Sequence, residues 1–373
     1  MCTSKIVGLV VAAGYSSRMG DFKPLLPLGD KTVIETAVAS LRQGGVQDIR
    51  VVVGYRASEL YAVLDRLDVR IIENPDYAKG MFSSVVTGLR TFAGDAEAFL
   101  LLPGDTPLIR RYSIKKLVQA YRKLAPTVVY PVFNGQMGHP PLISARCFEH
   151  ILEDNGAAGL RGVLAQFGLD AVEVEVADQG VVLDIDLPED YSLLLDFYAR
   201  REIPTYSECI AMLHQYQADG RVMRHGQAVA DVARHIAGLL NKAGLNLNLD
   251  LVVAGGLVHD LAKGKPNHSR RGGRLINCLG FPALSGIVAS HMDMEFSADY
   301  VLDEAAVVFL ADKLVQGDRV VPLIDRFRPA LTRFSGNPEI VISVLHRLHT
   351  AEAIRDRIGN LLGINSFDEM VAN

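Results

Sequence analysis

The residues best equipped for chemistry fall into two groups, one in each half of the 373-residue chain. In the first, Asp105 ends the apolar run AFLLLPGD. A carboxylate presented at a buried strand end suits Mg²⁺, which takes hard oxygen ligands and fills its shell with water and phosphate oxygens; the alternative is an aspartate capping a turn before a proline. Asp184 and Asp186 stand two apart in VVLDIDLPEDY, so on a strand they would share one face, and two strand-end carboxylates could hold one metal. Arg18 and Lys23 in VVAAGYSSRMGDFKPLLPLG supply cations. That loop is neither GxxxxGK[ST] nor GxGxxG, because Gly14 and Gly20 are too widely spaced and the lysine comes later. Cations, a metal clamp and backbone donors suit phosphoryl or nucleotidyl transfer, where the acceptor's own oxygen attacks and the protein needs no nucleophile.

The second group is His225 in RVMRHGQAVADVARHIA, the pair His259-Asp260 in GGLVHDLAKGKPNH, His268, His291 in IVASHMD, and Asp312 in VVFLADKL. His291 follows Leu284, Ile287 and Val288 at helical offsets, and Asp312 follows Val308 and Phe309, so both are expected on buried stripes. Polar groups there need partners. A lone histidine so placed is ordinarily a satisfied core residue; several helix-borne histidines and aspartates point to metal ligation, with a ligand set that accepts Mn, Fe, Ni, Zn or Mg. Lys263, Lys265, Arg270, Arg271 and Arg274 follow the pair as either a solvated basic loop or a phosphate-binding rim. His139, in QMGHPPLIS, is assigned to substrate binding, with general-base and loop-shaping roles open.

These residues require two different scaffolds. From residue 5 to about 200, short apolar strands such as IVGLVVA, IRVVVGY and AFLLLPGD alternate with amphipathic helices, which predicts a mainly parallel, Rossmann-like sheet with helices on both faces. Ligands of such sheets bind beyond the carboxyl ends of the strands, where AAGYSSRMG, GYRAS, NPDYAKGMFSS and PGDTP fall. REIPTYSE reads as a linker, after which the pattern is all-helical. The expected domains are 1–203 and 204–373, the second closing with a helical extension that includes EAIRDRIGNLLGINSFDEM.

Composition narrows the class. With 49% hydrophobic and 22% charged residues the chain is globular, and a net charge of -5 argues against nucleic-acid coating. Cys2, Cys147, Cys209 and Cys278 are scattered without CxxC spacing, which favours plain thiols in a reducing cytoplasm. No apolar run reaches membrane-spanning length, and no signal-peptide pattern is present, so neither a nucleic acid nor a membrane is an expected partner.

The first loop resembles the AAGxSxRMGxxKxLLPxxG signature of the MobA-like nucleotidyltransferase superfamily, and further motifs follow in order: Gly54-Tyr55-Arg56, Asn74 to Gly80 with Ser83 and Ser84, Gly104-Asp105, Gly138-His139-Pro140, and DIDLPED from Asp184 to Asp190. They are similar to the molybdenum cofactor cytidylyltransferase (MocA) type. That resemblance implies transfer of CMP from CTP to molybdopterin cofactor with release of pyrophosphate. Ala12, Ala13, Gly14, Gly80 and Ser84 would bind the nucleotide, Arg18 and Lys23 the triphosphate, and Asp105 and Asp186 Mg²⁺. Guanylyl-transferring relatives read AGG where this chain has Ala12-Ala13-Gly14, which favours CTP over GTP; Leu187 departs from the family's usual Thr. A sugar phosphate or other small phosphate is the alternative acceptor.

The H…HD…D order resembles the HD-domain phosphohydrolase superfamily, and HDxxK with the following histidines resembles its YqeK type, hydrolases of dinucleoside polyphosphates. By that likeness His225, His259, Asp260 and Asp312 are metal ligands, His268 and His291 hold a second metal or face phosphate, and Lys263 neutralises charge in catalysis. The rival reading is a cofactor chaperone that hands its product to a molybdenum hydroxylase apoenzyme, with the HD half a metal-bound sensor.

Overall fold

The computed structural model describes residues 5–364, which form two compact units dividing between Arg201 and Glu202. In the first unit the strands are β1 (Ile6–Ala12), a small hairpin of β2 (Pro27–Leu28) and β3 (Lys31–Thr32), β4 (Asp48–Val53), β5 (Arg70–Glu73), β6 (Ala98–Pro103), β7 (Val128–Phe133), β8 (Gln136–Met137), β9 (Leu142–Ser144) and β10 (Ala171–Glu175). The main sheet runs β10-β7-β9-β6-β1-β4-β5, with β8 paired to β7. Its β1, β4, β5 and β6 are mutually parallel, as are β7 and β10, whereas β9 is antiparallel to both neighbours. The reversal begins at Asn134-Gly135, both at positive φ, the Asn-Gly pair that closes a two-residue hairpin between Phe133 and Gln136.

Seven helices flank these strands: α1 (Val33–Gln43), α2 (Ala57–Leu64), α3 (Met81–Arg90), α4 (Arg111–Leu124), α5 (Phe148–Glu153), α6 (Gly159–Ala165) and α7 (Pro188–Ala199). Alternation along β1 explains the two covered faces. Val7 and Leu9 join Val85 and Leu89 of α3 in one core, while Gly8 lies against Leu41 of α1.

The expected strand carrying Asp184 and Asp186 does not form. Residues Gln179–Val182 make a 3₁₀ turn, and an extended loop leads from there into α7. Asp178 is the physical reason. Its buried carboxylate accepts from the Arg110 amide at 2.8 Å, the Ser113 hydroxyl at 2.6 Å and the Gly180 amide at 3.1 Å, which ties the segment to the start of α4 rather than to a strand partner.

The second unit holds α8 (Tyr206–Gln215), α9 (Gly220–Lys242), α10 (Leu249–Val258), α11 (His268–Leu279), α12 (Pro282–Ser290), α13 (Glu304–Leu314), α14 (Leu323–Arg333) and α15 (Pro338–Leu362). Residues Ala306 to Leu314 of α13 are all buried, surrounded by Val229, Ala233 and Ile236 of α9 and by Leu348, Ala351 and Ile354 of α15. The expected C-terminal extension is therefore part of this core through Ile358, with Leu362 packed against it; residues 365–373 and Cys2 lie outside the described residues. One small hairpin, β11 (Val315–Gln316) with β12 (Arg319–Val320), interrupts the helical pattern. Among the described residues no helix is long and apolar enough to cross a membrane.

Candidate functional sites

In the first unit a cleft of about 290 Å³ opens where β1 and β6 end, walled by Ala12 to Ser16, Lys23, Tyr77, Gly80, Met81, Ser84 and Asp105. The β1 loop is anchored from beneath. Met19 is buried with Leu28, Leu108, Ile185, Leu194 and Phe197, and the Lys23 amide donates to the Ser16 hydroxyl at 3.2 Å. Ile185 in that cluster brings Asp186 to the loop, and the Asp190 carboxylate accepts from the Asp186 and Leu187 amides at 3.0 and 2.7 Å, capping α7 where Leu187 offers no side-chain oxygen.

These constraints bring Lys23, Asp105 and Asp186 together. Lys23 Nζ lies 3.3 Å from Asp105 Oδ2 and 2.8 Å from Asp186 Oδ1, and Arg18 Nη1 lies 3.6 Å from the other oxygen of Asp186. Burial lowers the lysine pKa, but both carboxylates outweigh it and hold the group above its ordinary value. Burial pushes the Asp105 carboxyl up despite Lys23, whereas hydrogen bonding and charge from Lys23 hold Asp186 down. Two carboxylates from distant segments converging on one cation position are a donor set that fits a hard divalent ion.

The wall of the cleft at Gly80 and Ser84 depends on Asn74, a fully buried residue that the motif alone did not mark for a role. Its amide donates to Ser83 and Ser84 at 2.9 Å each, and its carbonyl oxygen accepts from the Asp76 amide at 3.0 Å. This folds the chain into the start of α3, where Gly80 takes φ 94 and ψ 179, a conformation almost restricted to glycine. A side chain at Gly14 would meet no protein atom within 4 Å, so this wall of the cleft is free for a ligand. His139 does not line the cleft. It precedes a cis proline, donates its amide to Val181 O at 2.7 Å, and is held below its ordinary pKa by burial.

In the second unit His225 comes from α9 and Asp312 from α13, whereas the other predicted ligands sit at helix ends. His259-Asp260 form the turn after α10, His268 opens α11, and His291 terminates α12. Helix ends free the backbone carbonyls that orient the rings. The Nδ1 atoms of His225, His259 and His291 pair with Gly317 O, Gly256 O and Val288 O at 2.8, 2.8 and 2.7 Å, turning each Nε2 inward. Gly317 belongs to the unexpected hairpin, so its carbonyl was invisible to helical periodicity. Close helix approach completes the arrangement: a Cβ on Gly256 would lie 2.5 Å from the Ala230 backbone, so only glycine lets α10 meet α9 here.

His225 Nε2 is 3.1 Å from Asp312 Oδ1; His259 Nε2 is 3.5 Å from both Asp260 and Asp312; His268 and His291 approach Asp260 Oδ1 at 3.5 and 3.7 Å. Among the described residues, the buried Nε2 atoms of His259 and His291 have no hydrogen-bond partner, which fits metal ligation. The ligand atoms form two groups, His225-His259-Asp260 and Asp260-His268-His291, with Asp260 in both. Burial opposes charge on His259, yet Asp260 and Asp312 push its pKa up to about 10; burial and the His259 charge bring His291 down to about 3. Two lysines complete the electrostatics. Lys263 Nζ pairs with Asp260 Oδ2 at 2.6 Å. Lys313, almost fully buried and not predicted, pairs with Asp312 Oδ2 at 2.6 Å and donates to His291 O at 2.7 Å.

A mostly parallel sheet ending in a cation-bridged carboxylate pair, followed by a helical unit with a histidine-aspartate cluster, defines a nucleotidyltransferase joined to an HD-type metal centre. Residues 8–172 match the MobA-like NTP transferase domain and residues 222–316 match the HD domain. The molybdenum cofactor cytidylyltransferase of Escherichia coli K12 is 33% identical over 189 residues, which cover 50% of this chain and 94% of that one. Nicotine blue oxidoreductase of Paenarthrobacter nicotinovorans is 27% identical over 202 residues, 51% of this chain and 96% of that one. Among solved structures, Rv0371c of Mycobacterium tuberculosis H37Rv has 28% identity and a TM-score of 0.47, covering 52% of this chain and 100% of that one. The chain belongs to the MobA-like NTP transferase family and carries an HD domain after its transferase domain. Both domain types are metal-dependent.

Proposed function

We propose that the first unit transfers CMP from CTP to a molybdopterin-type molybdenum cofactor, and that the second is a metal-dependent phosphohydrolase acting on a nucleotide or phosphate ester. The observation that carries the transferase reading is Lys23 Nζ held between Asp105 and Asp186 at the mouth of a cleft walled by Ala12 to Ser16. In the reaction a terminal phosphate oxygen of the acceptor attacks the α-phosphorus of the nucleotide, and the bond to the bridging oxygen breaks with pyrophosphate leaving. Ala12, Ala13, Gly14, Gly80 and Ser84 position base and ribose, while Lys23 and Arg18 neutralise the phosphates. Asp105 and Asp186 would hold Mg²⁺, which supplies charge neutralisation on the phosphate oxygens. Ala12-Ala13-Gly14, together with the cytidylyltransferase relative, supports CTP over GTP. His139 serves the acceptor side and the proposed domain boundaries are 1–203 and 204–373.

For the second unit, His225, His259 and Asp260, whose ligand atoms converge, would together with Asp312 ligate one divalent ion, and His268 and His291 would hold a second with Asp260 or face the phosphate. The ion would supply Lewis-acid polarisation of a phosphoryl oxygen, and Lys263 would offset charge developing there. Pyrophosphate release from purified protein with CTP or GTP, with and without molybdopterin, tests the first activity. Equal turnover on a sugar phosphate would reject the cofactor assignment. A phosphatase and nucleotidase screen of the wild type against Asp260→Ala tests the second; a metal-loaded wild type that hydrolyses nothing rejects it.

A further inference from the structure

Asp105 and Asp186 lie far apart in sequence, and the point on which they converge is taken by an ammonium group. Lys23 Nζ is within 3.3 Å of one carboxylate and 2.8 Å of the other, and its side chain is only 12% exposed. A divalent ion shared by those carboxylates would need oxygen contacts near 2.0–2.1 Å if it were Mg²⁺. Ammonium and ion would then stand within a few ångströms of each other, bidding for the same oxygens.

We propose that Lys23 is a placeholder cation. While the nucleotide is absent, it cancels the paired carboxylates and keeps a divalent ion out. When a nucleoside triphosphate arrives, its oxygens draw the ammonium away, so the ion is taken up with the nucleotide. This rests on the transferase reading of the cleft and adds an order of binding to it.

Two features support the proposal. The lysine backbone is fixed, by the hydrogen bond its amide donates to the Ser16 hydroxyl and by the 3₁₀ turn it opens with Pro24, so the exchange needs only rotation of the four-carbon stem. Arg18, three-quarters exposed and 3.6 Å from Asp186, cannot replace it between both carboxylates, since it approaches only one.

Mn²⁺ uptake by the full chain, counted by electron paramagnetic resonance with and without α,β-methylene-CTP, tests this. Because the HD unit binds ions of its own, the informative quantity is the difference between variants. The wild type should gain one ion only with the analogue. Lys23→Met and Lys23→Gln should bind that ion without it, at least tenfold more tightly than the wild type does, and Asp105→Asn added to either should remove it. A wild type that binds the extra ion without nucleotide overturns the proposal, as does failure of both folded lysine variants, checked by thermal melting, to gain it. Wild-type pyrophosphate release is measured in parallel. Turnover without the gain refutes the placeholder alone, whereas the gain without turnover on any nucleotide refutes the transferase reading.

Discussion

At the scale of single residues, His259 and His291 share one buried pocket and titrate in opposite directions. With the carboxylates of Asp260 and Asp312 beside it, His259 is raised to about 10 and keeps its proton through neutral pH when no metal is bound; His291, lowered to about 3, carries none. A metal takes neutral imidazole, so binding must displace the His259 proton. The sign follows: affinity should rise with pH by about tenfold per unit below the raised pKa, for one proton released. Calorimetry in buffers of different ionisation enthalpy checks this, and affinity that stays flat between pH 6 and 8 would contradict it. Lys313 acts on the same centre without facing the metal position, since its ammonium joins Asp312 to the carbonyl of His291. Lys313→Met should weaken metal binding by about 10- to 100-fold, the usual cost of losing a group that orients a ligand. Metal titration of the folded variant measures it, and wild-type affinity would remove the role.

At the scale of elements, each site sits where a helix or strand ends. The turn into α3 passes through Gly80, whose φ of 94 and ψ of 179 leave no room for a Cβ without backbone strain, although no neighbouring atom lies within 4 Å of that position. Gly80→Ala should therefore cost about 1–3 kcal/mol of stability through the backbone alone. It should also raise the KM for nucleotide, because the turn helps to wall the cleft. Urea denaturation together with nucleotide KM checks both, and an unchanged midpoint would place the need for glycine elsewhere. In the HD unit, α10 and α12 stop directly before or at His259 and His291, and their last carbonyls fix the rings. Continuing either helix by one turn would consume those acceptors in the backbone ladder.

At the scale of the whole molecule, the two sites belong to units with separate cores. Asp105→Asn should lower nucleotidyl transfer by at least about 100-fold, the scale of losing a principal group that stabilises transition-state charge, and leave phosphate-ester hydrolysis unchanged. Asp260→Asn should do the reverse. Both assays on both variants measure the separation, and loss of the two activities together in either folded variant would show that the sites depend on each other.

Motif spacing carried much of this by itself. The β-α rhythm, the loop from Ala12 to Lys23, Asp105 after its apolar run and the order of His225, His259-Asp260 and Asp312 were legible because local pattern and side-chain chemistry specify them. Tertiary structure decided the rest. Asp186 reaches the first loop only because Ile185 packs with Met19 and Asp178 holds its segment off the sheet, contacts between positions that no local period relates. Asn74, Gly317 and Lys313 had no periodic signal, since their roles lie in long-range hydrogen bonds whose geometry exists only after the elements have packed. The placement of Lys23 is of the same kind: its position in the first loop is legible as that of a cation, and only the fold puts its ammonium between two carboxylates.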